Sequence, residues 1–150
     1  MNKINRIDEI KDLNSDDLKS ILKTWESSVR ATHSFLDEEA IIKLIPQVEE
    51  GVKFVNNLLV MRNESDSIIA FEGIHDGKIE MLFVNDDYRG KGIGKCLIFE
   101  AIENYNATLV DVNEQNIQGV GFYKHIGFKV ISRSETDEAG NPYPILHLSL

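Results

Sequence analysis

The chain predicts a mixed α/β fold, helices laid on one sheet in the order β-α-α-β-β-β-α-β-α-β-β, and three observations predict it. Apolar residues recur at three- and four-residue steps in three segments, the mark of helices with one buried stripe. Three strand-like segments in the middle of the chain are joined by turns too short to hold a helix, which makes an antiparallel meander. A cluster of glycines then opens a further helix, after which strand and helix alternate. At 150 residues the chain suits one core better than two, so residues 1–150 are read as a single domain.

Taken in order, residues 4–10 alternate enough to form a first strand, and Asn14, Ser15 and Asp16 offer side-chain oxygens to cap a helix that begins near Asp17. Its stripe is Leu18, Ile21, Leu22, Trp25 and Val29. A second helix follows Asp37 with Ala40, Ile41, Leu44 and Ile45 on its stripe, and Pro46 and Gly51 are expected to interrupt it. Residues 54–62, 67–74 and 78–84 read as the meander, with His75 placed in the second turn beside Asp76-Gly77. The glycine cluster leads into a helix carrying Ile93, Leu97, Ile98, Ala101 and Ile102, ending near Tyr105. A strand at 108–112 and a helix at 116–125 come next, the helix closed by Gly127. Strands at 128–132 and 145–150 end the chain, with Ala139-Gly140-Asn141-Pro142 turning between them.

Twenty-five acidic against sixteen basic side chains leave a net charge of −9, which repels a nucleic-acid backbone, so no nucleic-acid partner is expected. The same field favours cationic small molecules or basic peptide ends, although most acidic surfaces simply keep proteins soluble. Cys96 is the only cysteine and has no internal partner; it is read as a small buried hydrophobe in a helix. With no apolar leader or long apolar stretch, the expectation is a cytoplasmic protein with no membrane partner. His125 and His147 lack metal-ligand spacing with any second ligand, and no metal is expected.

The segment that carries chemistry is Leu82-Phe83-Val84-Asn85-Asp86-Asp87-Tyr88-Arg89-Gly90-Lys91-Gly92-Ile93-Gly94: an apolar strand, a polar turn, then glycines opening a helix. Such a junction aims unpaired N–H groups at one spot, where the helix dipole adds positive potential, and glycine lets phosphate oxygens approach closely. Two familiar phosphate motifs fail on spacing. The dinucleotide pattern read from Gly90 needs glycine where Lys95 stands, and the nucleotide P-loop needs glycine at Arg89 and a hydroxyl at Cys96.

The segment does resemble the acetyl-CoA motif R/Q-x-x-G-x-G/A of the GCN5-related N-acetyltransferases, the GNAT superfamily, through Arg89, Gly92 and Gly94. A second resemblance lies in Asn113-Glu114-Gln115-Asn116 followed by Gly121-Phe122-Tyr123-Lys124-His125-Ile126-Gly127-Phe128, which is similar to that superfamily's N-x-x-A-x-x-F-Y-x-x-x-G-F segment. Gly119 stands where the family commonly has alanine, a change expected to weaken helix propensity by about 1 kcal/mol without removing a functional group.

The resemblance implies an enzyme that moves the acetyl group of acetyl-CoA directly to a primary amine of a small molecule or peptide; a monomer is expected, or a homodimer paired through the exposed last strands. It implies that Leu82, Phe83 and Val84 pair with the pantetheine arm like an added strand, that N–H groups of Arg89, Gly90, Lys91, Gly92, Ile93, Gly94 and Lys95 hold the pyrophosphate, and that Asn116 reaches the pantetheine. Tyr123 is similar to the family's general acid, which protonates the departing thiolate, and backbone N–H groups near Val84 are placed to steady the oxyanion. Glu80 is the first candidate for the general base, read as alternating with Leu82 and Val84 on one strand face; Glu72, His75 and a water relay are the reserves. Trp25, His33 and Phe35 are the candidates for the acceptor pocket. The alternative is a non-catalytic acyl-CoA-binding or regulatory module with the same fold.

Overall fold

The computed structural model describes residues 6–150. The chain runs β1 (Ile7–Ile10), α1 (Ser15–Thr32), α2 (Glu38–Phe54), β2 (Asn57–Arg62), β3 (Ile68–His75), β4 (Lys78–Val84), a 3-10 turn (Asp86–Tyr88), α3 (Ile93–Tyr105), β5 (Leu109–Asn113), α4 (Ile117–Ile126), β6 (Lys129–Ser134) and β7 (Ile145–Ser149). The expected order of helices and strands is the observed one; positions 4 and 5 of the expected first strand lie outside the described residues.

All seven strands share one sheet in the order β1-β2-β3-β4-β5-β7-β6. Alternation along β2 shows how it divides the core, because Leu59 and Met61 join the cluster under α3 and α4 while Leu58 and Val60 join the one under α1 and α2. Helices therefore cover both faces, and β3 between them is buried from Ile68 to Ile74.

Three local expectations are corrected. Helix α1 starts at Ser15, since the Asn14 side chain accepts from the Asp17 N–H at 2.7 Å and so caps the helix from outside. Helix α2 is not interrupted at Pro46 or Gly51 but runs through both. The buried stripe of Ile41 and Val52 holds it together, and Gly51 lies against β4, where an added Cβ would sit 2.8 Å from the flexible end of Met81. His75 ends β3 instead of lying in the turn.

Strand β4 is where the fold opens. It pairs antiparallel with β3 along its length but parallel with β5 only at Lys78↔Leu109 and Ile79↔Val110. Beyond that point the two strands splay, leaving one backbone edge of β4 without a neighbour and creating a cleft through the middle of the sheet. The β3–β4 register also slips, with Gly73 opposite Met81 and Ile74 opposite Ile79, so Glu80 is the extra residue of a β-bulge.

Candidate active site

The cleft between β4, β5, α3 and α4 has a volume of about 590 Å³, within the usual range for small-ligand sites. Its upper end is made by the glycine loop. Gly90 and Gly92 adopt φ of +75° and +79°, left-handed values that residues with a Cβ avoid, and nothing of the protein lies within 4 Å of where a Cβ would be. Helix α3 starts there with Gly92 as its N-cap and no side-chain capping bond, whereas Asn14, Asp37 and Asn116 cap the other three described α-helices. Its first turn also carries no acidic residue. The first N–H groups of α3 thus remain free to meet an anion, with the helix dipole behind them.

The loop is fixed in place from three sides. Asn85 N–H donates to the Ile69 carbonyl at 2.8 Å, Asp86 N–H donates to Ser27 Oγ at 3.0 Å, and the Tyr88 hydroxyl accepts from Asn63 at 3.1 Å. The Arg89 guanidinium holds Asp86 at 3.1 Å and also donates to the Gln118 carboxamide on α4, so it ties the two walls of the cleft together. Of the residues expected around the cofactor, Leu82, Phe83, Val84, Arg89, Gly90, Gly92, Ile93, Gly94, Lys95, Asn116 and Tyr123 all line this cleft. Lys91 does not; its ammonium stands 5.6 Å over the Tyr88 ring.

Asn116 Oδ1 accepts from the Gly119 N–H at 3.1 Å, and an added Cβ at Gly119 would fall 2.4 Å from Asn116 Nδ2. The glycine expected only to weaken the helix is what gives the Asn116 amide its position. Tyr123 is buried, its ring edge-on to Phe128 at 5.8 Å, and its hydroxyl makes no hydrogen bond to the protein among the described residues. Burial raises the phenol above its ordinary range, so it stays protonated at neutral pH, and the charge that Glu72 takes on at higher pH raises it further.

The lower end of the cleft belongs to Glu80. It does not share the face of Leu82 and Val84: the bulge resets the alternation, and Ile79 is the residue that joins their cluster, while Met81 and Phe83 turn to the other side. Glu80 is left at the junction of three openings, the cleft, a groove of about 1150 Å³, and a smaller hollow of about 290 Å³ under α1 and α2. Burial raises its carboxyl, Lys78 opposes that, and Glu138 and Asp111 add to it, with a net upward shift.

The wide groove is acidic. Glu50, Asp111, Asp137 and Glu138 line it with Glu80, and one oxygen from each of Glu80, Asp111 and Glu138 lies within 4.8 Å of the others. Lys78 supplies counter-charge, 2.7 Å from Asp111 and 3.5 Å from Glu80. Asp111 also meets His147 Nδ1 at 2.7 Å, and Ser134 Oγ meets His147 Nε2 at 2.7 Å. This network draws on β4, β5, β6 and β7 and was not found from the sequence; the one signal was a lone carboxylate in the apolar run Leu109-Val110-Asp111-Val112.

The acceptor candidates separate. His33 lines the cleft and the small hollow, 6.5 Å from the Phe83 ring, and burial lowers it to about 4, so it is neutral. The Thr32 hydroxyl spends its one proton on the Ser28 carbonyl at 2.8 Å, so His33 Nδ1, 2.7 Å away, must donate to it, leaving Nε2 as an acceptor. Trp25 is 3% exposed, packed in the α1–α2 core, and borders only the small hollow. Phe35 stacks on His33 at 5.4 Å and Tyr143 at 6.0 Å without lining the cleft. Of the reserve bases, His75 lines the acidic groove and Glu72 lines neither opening, being wholly buried. Cys96 is half-buried in α3.

A family model described as acetyltransferase (GNAT) domain matches residues 26–144, which span both the glycine loop and α4. The chain belongs to the GNAT family. The peptidyl-lysine N-acetyltransferase YjaB of Escherichia coli is 39% identical over 131 residues, covering 87% of this chain and 88% of YjaB. The solution structure of the apo form of E. coli YjaB superposes with a TM-score of 0.83 at 36% identity, over 96% of this chain and 97% of that one. The PaiA N-acetyltransferase of Thermoplasma acidophilum, solved in complex with coenzyme A, shares the fold with a TM-score of 0.66 at 22% identity, over 97% and 99%. This GNAT protein is thus an N-acetyltransferase, an acyltransferase that delivers an acetyl group to an amine. No helix among the described residues is long and apolar enough to cross a membrane.

Proposed function

We propose that this GNAT protein transfers the acetyl group of acetyl-CoA to the ε-amine of lysine in a peptide or protein. The observation that carries the reading is the position of Glu80, on the β4 bulge, where the cleft holding the glycine loop and Tyr123 meets the acidic groove. The diphosphate sits on the free N–H groups of the glycine loop and α3, and the pantetheine arm extends along the open edge of β4 toward Asn116. The acidic groove receives the lysine side chain as a cation and raises its local concentration.

Glu80, directly or through one water, takes the proton that the ammonium must lose before nitrogen attacks the thioester carbonyl. The C–N bond forms, the C–S bond breaks, and Tyr123 donates its phenolic proton to the departing thiolate. The second proton that the nitrogen sheds as the amide forms passes through water to the Tyr123 phenolate. His33, which lines both the cleft and the small hollow and keeps Nε2 as an acceptor, orients the incoming amine. The name of the E. coli relative supports peptidyl lysine as the acceptor.

The test is release of CoA thiol, with mass analysis of the acceptor, over single-lysine peptides flanked by basic, neutral or acidic residues and over small amines. Acetylation at the lysine ε-amine, fastest with basic flanks, is the expected result. Turnover confined to small amines overturns the peptide assignment. Melting temperature that climbs with acetyl-CoA concentration checks cofactor binding separately.

A further inference from the structure

Glu72 has no part in the chemistry above, yet it is the only carboxylate among the described residues that is buried completely. Both its oxygens lack a hydrogen-bond partner, a costly arrangement that the surrounding fold maintains. It sits in the middle of β3, opposite Leu59 of β2 and Leu82 of β4, and directly opposed residues share a sheet face, so it lies beside a wall residue of the cleft. The titratable groups that feel it are Cys96, Glu100 and Tyr105 of α3 and Tyr123 of α4, with the nearest strand partners apolar. None of these is a cation, so nothing there balances a negative charge.

We propose that Glu72 is a positioning residue carried as the neutral acid, whose uncharged state lets negative charge build on Tyr123 and the leaving thiolate, and whose ionisation shuts turnover off on the alkaline side. No proton passes through Glu72. It acts through the field it does or does not exert in a dry core, where one added negative charge strongly opposes a second. Burial, followed by the charge of Glu100, pushes its carboxyl up to about 9, which places the switch above neutral pH.

The inference rests on Tyr123 as the general acid, and the test separates the two. Turnover at saturating acetyl-CoA is measured from pH 6 to 11 for the parent, Glu72→Gln and Tyr123→Phe. Glu72→Gln keeps the shape and cannot ionise, so it is expected to hold neutral-pH turnover within about threefold of the parent and to lose the fall near pH 9. Should the glutamine variant fold poorly, Glu72→Met carries the same expectation.

An alkaline fall in the variant that coincides with the parent's overturns the inference even where Tyr123→Phe is slow. Unchanged turnover in Tyr123→Phe overturns the acid assignment itself. The proton on Glu72 has its own readout, because a carboxyl raised above its unfolded value of 4.5 contributes stability below that pH and loses it as pH rises through about 9. The melting temperature of Glu72→Gln should therefore gain on the parent across that window, and a constant difference would show that Glu72 is not held neutral.

Discussion

Where the cleft meets α3 its wall is backbone, left-handed glycines and uncapped N–H groups, whereas the groove that adjoins it at the β4 bulge is walled by side chains, five carboxylates with Lys78 beside two of them. On the proposed function the first surface takes the diphosphate, since main-chain donors are alike in every chain that forms the turn. The second recognises by charge and shape, so it changes with each substitution. If coenzyme and acceptor occupy these two surfaces as proposed, they are held by different physics, and breaking each end should give a different kinetic signature.

The largest effect is expected at the junction. On the proposed mechanism Glu80→Gln removes the base but keeps the shape of the bulge, and turnover should fall by about 10²–10⁴-fold, the usual range for a positioned general base. Binding of acetyl-CoA, measured by thermal shift, should hardly change, because the diphosphate end is made of backbone. The acid limb of the parent's pH profile should lie above the ordinary carboxylate range, since burial, Glu138 and Asp111 together raise Glu80. Retention of turnover in Glu80→Gln would pass the role to His75 or to ordered water.

The backbone end should respond in the opposite sense. Gly92→Ala forces a Cβ into φ +79°, a strain of about 1–2 kcal/mol, so acetyl-CoA affinity is expected to weaken by roughly 5–30-fold. The KM for peptide should stay close to the parent's. Gly121→Ala is the control, since it lies in α4 with open space around it and a right-handed backbone, and it should leave both constants unchanged. Equal loss in the two variants would show that helix perturbation, rather than the loop, governs affinity.

The same contrast explains how much could be read from the chain alone. Glycines at 90 and 92 announce a backbone shape locally, and the order of helices and strands follows from periodicity, so the fold and the shape of the glycine loop were legible. Proline is a local signal too, yet it misled at Pro46, because the apolar stripe of α2 outweighs one missing N–H. The bulge at Glu80 was hidden, since alternation counts residues and cannot show that β3 skips one. The acidic end was hidden more deeply: Glu50, Asp111 and Glu138 are far apart in sequence and meet only because β5 pairs with β7 while β4 turns away.

The smallest effect should come from that acidic end, and it sharpens the comparison most. Glu138 is exposed, so Glu138→Gln removes one screened charge, worth a fraction of a kcal/mol to about 1 kcal/mol, and the KM for a basic peptide should rise only about two- to fivefold. Salt should shrink the difference between variant and parent, because exposed charges act within a Debye length of about 8–10 Å. The variant also relieves one of the charges that raise Glu80, so its acid limb should move to lower pH while acetyl-CoA affinity is unchanged. A fall in coenzyme affinity would mean that the two ends of β4 are coupled. A KM that ignores both the substitution and salt would mean that the groove holds its acceptor by shape, with Phe54, 65% exposed and stacked on His75 at its rim, as the next surface to change.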